Sequence, residues 1–229
     1  MIIKVGWIIM EISVAIDGPA GAGKSTIAKI IGDKFKLMYI NTGSMYRAVT
    51  LKAMDANISE KCVDDLVKMV GALEMHFEEE HLFVNNEDVT DEINMPIISN
   101  NVSKYAAVPE IREILVELQR NIAKKFNVIM DGRDIGTVVL ADATFKFYLT
   151  ASSEERAKRR YDELILRDID VDYDTILGDI IKRDYIDTHR EVSPLKKAYD
   201  AIEIDSNDLS INEVAQKMID FINSKVKLN

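Results

Sequence analysis

The segment GPAGAGKS, residues 18 to 25, satisfies the pattern G-x-x-x-x-G-K-[ST] at every position. Glycines let such a loop wrap so that successive backbone N–H groups face one anion, and the start of a following helix adds positive potential. In that arrangement Lys24 meets the β- and γ-phosphates of a nucleotide, and the Ser25 hydroxyl ligates Mg²⁺. The bland alternative is a Gly-rich strand-to-helix turn with no ligand. The apolar run SVAI before the loop and the helical pattern after it favour the phosphate reading. A GTPase would also carry an N-K-x-D guanine reader, and none occurs, which points to ATP and a kinase.

Other residues could complete that chemistry. VIMDGRDIGTVV, residues 128 to 139, sets Asp131, Arg133 and Asp134 almost side by side, and its carboxylates could hold a metal, read a substrate or pair with arginines. NTGSMYR, residues 41 to 47, reads as a polar turn followed by Tyr46 and Arg47, whose planar fork suits an anionic acceptor. Arg156, Arg159 and Arg160 recur at i, i+3 and i+4, so they share a helix face and could neutralise charge on a transferring phosphoryl group. The competing reading is a solvated, salt-bridged helix: Glu155 stands four residues before Arg159, whereas Ser152 precedes Arg156.

Two metal readings fail on pattern. HFEEEH, residues 76 to 81, falls in an expected hairpin, where alternation sends neighbouring side chains to opposite faces. Asp168, Asp170, Asp172 and Asp174 suggest a calcium loop, but Tyr173 replaces its required Gly and Asp179 its usual Glu.

Positioning these groups requires a sheet. ISVAI (12–16), LMYI (37–40), VIM (128–130), FKFYL (145–149) and AIEI (201–204) are continuous apolar runs between helical stretches, which predicts a five-stranded parallel α/β sheet flanked by helices. Residues 73 to 93 alternate around polar turns and predict a small antiparallel insertion ending near Pro96. A second departure, 151 to 192, is helical and charged. Ser210 and Glu213 have capping-box spacing ahead of a terminal helix bearing Val214, Met218, Phe221 and Ile222.

Composition narrows the partners. The 229 residues are 47% hydrophobic and carry 29 Lys plus Arg against 39 Asp plus Glu, a net charge of −10, which argues against a broad nucleic-acid face. Any anionic ligand must be held by local arginines and backbone amides. Cys62 is the sole cysteine, no run reaches the roughly 18 apolar residues of a membrane span, and a reducing cytoplasm is the expected compartment. MIIKVGWIIM lacks a small-residue cleavage site, so it is not read as a signal; Met10 is an alternative start, with residues 1 to 9 as an extension outside the fold.

Taken in order, GPAGAGKST, NTGSMYR, SKYAAVPEIR, DGRDIGTVV, ASSEERAKRRYDEL and HREVSPLKKAYDAIEIDS resemble the bacterial-type cytidylate kinase family from about residue 12 to 222. The resemblance implies a P-loop kinase core within a single domain, 1–229, with a monophosphate-binding insertion at 60–105 and a lid and acceptor-contact region at 151–192. It implies ATP as donor, held by Gly18, Pro19, Ala20, Gly21, Ala22, Gly23, Lys24, Ser25 and Thr26, with Mg²⁺ at Ser25. CMP and dCMP are the implied acceptors: Ser103, Arg112 and Asp134 would read cytosine, Arg47, Arg133 and Arg190 would hold its phosphate, and Arg183 and Asp187 would meet the sugar, with Thr42 and Tyr46 beside them. Lys24, Arg156, Arg159 and Arg160 would be catalytic. A monomer without nucleic-acid or membrane partners is expected. Two departures stand out: Asn41 where an Asp is common, and a hairpin at FEEEHLF shorter than usual. A different monophosphate acceptor, or a non-catalytic nucleotide-responsive protein, are the alternatives.

Overall fold

The computed structural model describes residues 12–226, together with the backbone pairing of β1 (Lys4–Val5) and β2 (Ile8–Ile9). The expectation that residues 1 to 9 form an extension falls largely outside the described residues.

The central sheet comprises β3 (Ser13–Asp17), β4 (Met38–Asn41), β8 (Val128–Gly132), β9 (Phe145–Thr150) and β10 (Ile202–Asp205). Its order is β10-β9-β3-β8-β4, and every pairing is parallel. Each expected strand is present, displaced by one or two residues at its ends.

Both faces are covered, which explains the continuous apolar runs. Ala15 and Met130 face a core with Met45, Val49, Leu66, Ile111 and Leu115, supplied by α2 (Thr42–Asp55), α3 (Val63–Gly71) and α5 (Pro109–Ala123). Their strand neighbours Val14, Ile16 and Ile129 face the opposite core, built from α1 (Lys24–Phe35) and α8 (Ile211–Val226). In α8, Val214, Met218 and Ile222 recur every four residues and are buried there, each contributing about 1.5–3 kcal/mol. Truncating the fully buried Ile16 to Ala would open a cavity between sheet and helix at a cost of about 2–5 kcal/mol. Ser210 and Glu213 form the expected reciprocal cap: Glu213 N donates to Ser210 Oγ at 3.3 Å, and Ser210 N donates to Glu213 Oε2 at 2.9 Å.

The antiparallel insertion is β5 (Met75–Glu78), β6 (His81–Val84) and β7 (Glu87–Asp88), followed by α4 (Pro96–Ala106). His76 and His81 both point outward, and His81 Nδ1 lies 2.7 Å from Asp88. Residues 153–189 supply α6 (Ser153–Ile165) and α7 (Tyr173–His189). One expectation is corrected: NTGSMYR is not a turn before a helix but the first turns of α2 itself. The Asn41 side chain accepts from Ser44 N at 3.0 Å, and this cap starts the helix at Thr42. No helix among the described residues is long and apolar enough to cross a membrane.

Candidate functional site

The carboxyl ends of β3, β8 and β4 converge on one edge, with Ile16 opposite Asp131 and Asp131 opposite Asn41. From β3 the chain turns through residues 18–23 into α1. Gly18 has φ of +149°, and a Cβ there would meet the Leu149 carbonyl oxygen at 2.2 Å, so only glycine permits this close passage of loop and strand. Lys24 is buried and donates to the Pro19 carbonyl at 2.7 Å. Burial, and then the charge of Arg133, holds its pKa well below the usual lysine value.

Ala20, Gly21, Gly23, Lys24, Ser25 and Thr26 line a cleft of about 760 Å³. Ala22 instead belongs to the core under α1. Gly18 and Pro19 hold the loop's entry, packed on β9 and bonded to Lys24 respectively.

Asp131 accepts hydrogen bonds from the Ser25 hydroxyl and the Tyr39 hydroxyl, each at 2.9 Å. Of the roles open to it in sequence, holding a neighbouring arginine does not occur among the described residues; its direct partner is the expected metal ligand. Burial, reinforced by the Asp131 charge, raises the Tyr39 pKa, so this phenol stays a donor. A hydroxyl and a carboxylate side by side beneath the phosphate loop are hard oxygen donors of the type Mg²⁺ takes.

A second, smaller pocket adjoins the cleft, and Gly43, Gly132, Arg133 and Arg183 line both. All the expected acceptor residues except Arg47 line the smaller pocket; Arg47 lines the cleft. Arg112 Nη2 pairs closely with Asp134 Oδ2, both buried, and the Arg112 guanidinium lies 5.1 Å from the Tyr46 ring centroid. Arg190 Nη2 stands 3.8 Å from Asp134 Oδ1, within ion-pair range but too far to hydrogen-bond. Arg133 Nε donates to Asp187 Oδ2 at 2.8 Å. Burial opposes both charges, yet the pair outweighs it: Arg133 is raised and Asp187 lowered.

Several buried donors here have no hydrogen-bond partner among the described residues: Tyr46 Oη, Arg112 Nε, Arg183 Nε and Arg190 Nη2. All four residues line the smaller pocket. A buried donor left unmade costs about 1–3 kcal/mol, so this concentration marks a surface shaped for acceptor atoms. Burial, followed by the charge of Arg133, brings both Arg47 and Arg183 down to about 10. These guanidiniums remain charged at neutral pH while repelling one another, a field that an anion relieves.

On α6, Arg159 faces the cleft, while its Nε donates to Glu155 Oε1 at 3.1 Å, the i,i+4 bridge anticipated from sequence. Arg156 is buried in the seam between α6 and α7, paired through both nitrogens with Asp184, and donates to the Ala20 carbonyl at 3.0 Å. Arg160 pairs with Glu163 at 2.8 Å, and its charge lowers Arg47.

Sequence reasoning missed Asp17, Tyr39 and Asp184. Asp17 ends β3 with both carboxylate oxygens accepting backbone amides, from Ile135 and Gly136, each at 2.7 Å. A buried acid immediately before a phosphate loop was the available clue.

Comparisons with known proteins agree with this geometry. The protein-family model described as cytidylate kinase matches residues 14–224. A Clostridium acetobutylicum protein named cytidylate kinase is 60% identical over 217 residues, 95% of this chain and 100% of that protein. One of the same name from Clostridium perfringens is 63% identical over 211 residues, 92% of this chain and 97% of its own. An uncharacterized protein from Eubacterium ventriosum has a crystal structure similar in fold, with TM-score 0.54, 16% identity and coverage of 94% of this chain and 99% of that one.

Proposed function

The chain belongs to the cytidylate kinase family, and from that premise we propose that its two connected cavities seat ATP and the acceptor, their phosphates meeting at Arg133. The reaction is transfer of the γ-phosphoryl group of ATP to CMP or dCMP, giving ADP and CDP or dCDP. The observation that carries the seating is the cluster of unpartnered buried donors on Tyr46, Arg112, Arg183 and Arg190, one cavity away from the phosphate loop.

Gly18 to Thr26 wrap the ATP phosphates, with Lys24 leaving the Pro19 carbonyl for the β- and γ-oxygens. Ser25 and Asp131 would hold Mg²⁺, which when bound neutralises charge on the β- and γ-phosphates. Arg47, Arg133 and Arg190 grip the acceptor phosphate, and Arg183 and Asp187 face the sugar. Ser103, Arg112 and Asp134 read the base: cytosine offers an amino donor to Asp134, whereas uracil presents a carbonyl that an ionised carboxylate repels.

A phosphate oxygen of CMP attacks the γ-phosphorus as the bond to the β–γ bridging oxygen breaks and ADP departs. The attacking oxygen is already anionic near neutral pH, so no strong base is needed. Positioning and charge neutralisation supply the rate. Arg159 meets the spreading charge directly, Arg160 adds positive potential beside Arg47, and Arg156 fastens the lid to the phosphate loop. Closure of 151–192 over the core excludes water that would otherwise hydrolyse ATP. Residues 60–105 act as the monophosphate-binding insertion of a single domain. A monomer is the expected state, and the lone cysteine suits the cytoplasm.

A coupled ADP-release assay with CMP, dCMP, UMP, AMP and GMP tests the reading. CMP and dCMP should stimulate release most. Stimulation by another monophosphate instead would reassign the acceptor, and none above ATP alone would leave only a nucleotide-binding protein.

A further inference from the structure

Asp134 occupies a position where an Asp normally serves its own backbone. It precedes a single turn, Ile135–Val139, and its carbonyl accepts from Val138 N at 2.8 Å, as a capping residue's does. A capping Asp usually folds its carboxylate back onto the amides two or three residues on. Asp134 makes no such bond. Its carboxylate points the other way, to Arg112 and Arg190 in the acceptor pocket.

The missing cap comes from a segment more than a hundred residues away. Asp17 places Oδ1 on Ile135 N and Oδ2 on Gly136 N, each at 2.7 Å. Gly136 N is among the amides that Asp134 itself would have taken. β3 and β8 are paired with Asp17 opposite Gly132, which sets the acid beneath the turn. Asp17 is 3% exposed, so its orientation is fixed by these two bonds and by the surrounding core.

We infer that Asp17 is a positioning residue for acceptor choice: by capping Ile135 and Gly136 in place of Asp134, it frees the Asp134 carboxylate to face the base. The inference rests on the reading of Asp134 as a base contact. It also ties the two halves of the site, because the residue after Asp17 opens the phosphate loop. With the external cap removed, Asp134 gains a competing amide donor of its own at Gly136 N, and its carboxylate is drawn out of the pocket.

The test is steady-state kinetics of Asp17→Asn, which keeps shape and removes charge, beside Asp134→Ala. Asp17→Asn should raise KM for CMP about tenfold or more and lower the CMP-over-UMP ratio of kcat/KM by a similar factor, while KM for ATP moves within about twofold. An equal rise in both KM values would mean that Asp17 merely supports the phosphate loop, and an unchanged KM for CMP would remove it from acceptor recognition; either overturns the inference. If Asp134→Ala also leaves the CMP preference intact, the base reading fails with it; if only Asp17→Asn does, that reading stands and the inference alone falls.

Should Asp17→Asn not fold, Gly136→Ala decides. Its new methyl would lie 3.3 Å from Asp17 Oδ2 and 3.3 Å from Lys146 Cδ, pressing on the cap while Asp17 stays in place. The same CMP-selective rise, about threefold, is expected. Unchanged kinetics there would overturn the inference.

Discussion

Arg156 offers the sharpest test of how α6 and α7 are held to the phosphate loop. Its guanidinium pairs through two nitrogens with Asp184, donates to Ala20 of the phosphate loop at 3.0 Å, and donates through Nε to Ala151 at 3.0 Å and Ser152 at 3.2 Å. One side chain therefore joins α6, α7 and the loop. The Arg156 side chain is 4% exposed and that of Asp184 is 23% exposed, so truncation strands its partner unequally. Breaking a buried pair costs about 3–5 kcal/mol, mostly as an uncompensated charge. Arg156→Ala should lie at the lower end, about 3 kcal/mol, because water still reaches Asp184. Asp184→Ala leaves a nearly inaccessible guanidinium facing only carbonyls and should cost at least as much. The double variant leaves no stranded charge and should fall short of the sum by about 2 kcal/mol.

Urea unfolding of the four proteins without nucleotide measures that coupling. Additivity within about 0.5 kcal/mol would refute the pairing as an energetic unit. Kinetics supply an independent arm. If Arg156 instead leaves Asp184 to sit on the transferring phosphoryl, Arg156→Ala should lower kcat by about 10²–10³ while Asp184→Ala leaves it intact. That result would refute the strut and return Arg156 to direct catalysis.

Arg159→Ala should show the opposite profile, kcat down by about 10²–10³ with only about 0.5 kcal/mol of pairing lost with Glu155, because the residue faces the cleft and that bridge is half-exposed; unchanged kcat counts against it. CMP at about a hundredfold over its Kd should stabilise the fold by about 2.7 kcal/mol, whereas cytidine without phosphate should do far less at equal concentration; equal thermal shifts would deny Arg47, Arg133 and Arg190 a phosphate role. Asp17 also predicts a pH dependence. Burial, against the Ile135 and Gly136 amides and Lys24 and with the charge of Asp134, raises its pKa from 3.8 to about 6, and Tyr148 and Lys146 are the titratable groups facing it from β9. A raised acid gives stability that is complete below about 3.8 and lost as pH climbs through about 6, so the wild type should lose about 3 kcal/mol relative to Asp17→Asn across that window. A flat difference in unfolding free energy would oppose this.

What sequence made legible follows from where each determinant is encoded. The five strands announce themselves through apolar runs, and the phosphate loop through a dense local pattern. Asn41 likewise carried a local cap for α2, overlooked because NTGS reads equally well as a turn. Tyr39 and Asp184 carry no local mark, and Asp17 only its place before the phosphate loop, since each acts on a residue far away in the chain. Asp17 serves Gly136 only because β3 pairs with β8 in one register. Asp134 stands at the cap position of its own turn, and only the tertiary fold shows another residue capping it.

Charge makes the same point at the scale of the whole site. A net charge of −10 argues against a broad anion-binding face but says nothing about a pocket. Carboxylates from other segments offset the site's cations one by one: Asp134 for Arg112, Asp187 for Arg133 and Asp184 for Arg156. Arg47 and Arg183 are left without a carboxylate at ion-pair distance among the described residues, both charged, both drawn down by burial and by Arg133. Arg183 lines both cavities and Arg47 the cleft, near where the proposed transfer brings two sets of phosphate oxygens together. At 3.8 Å Arg190 shares Asp134 with Arg112, while Arg133 and Arg156 are paired, so on the proposed reading the uncompensated charge stands where anions must be brought together.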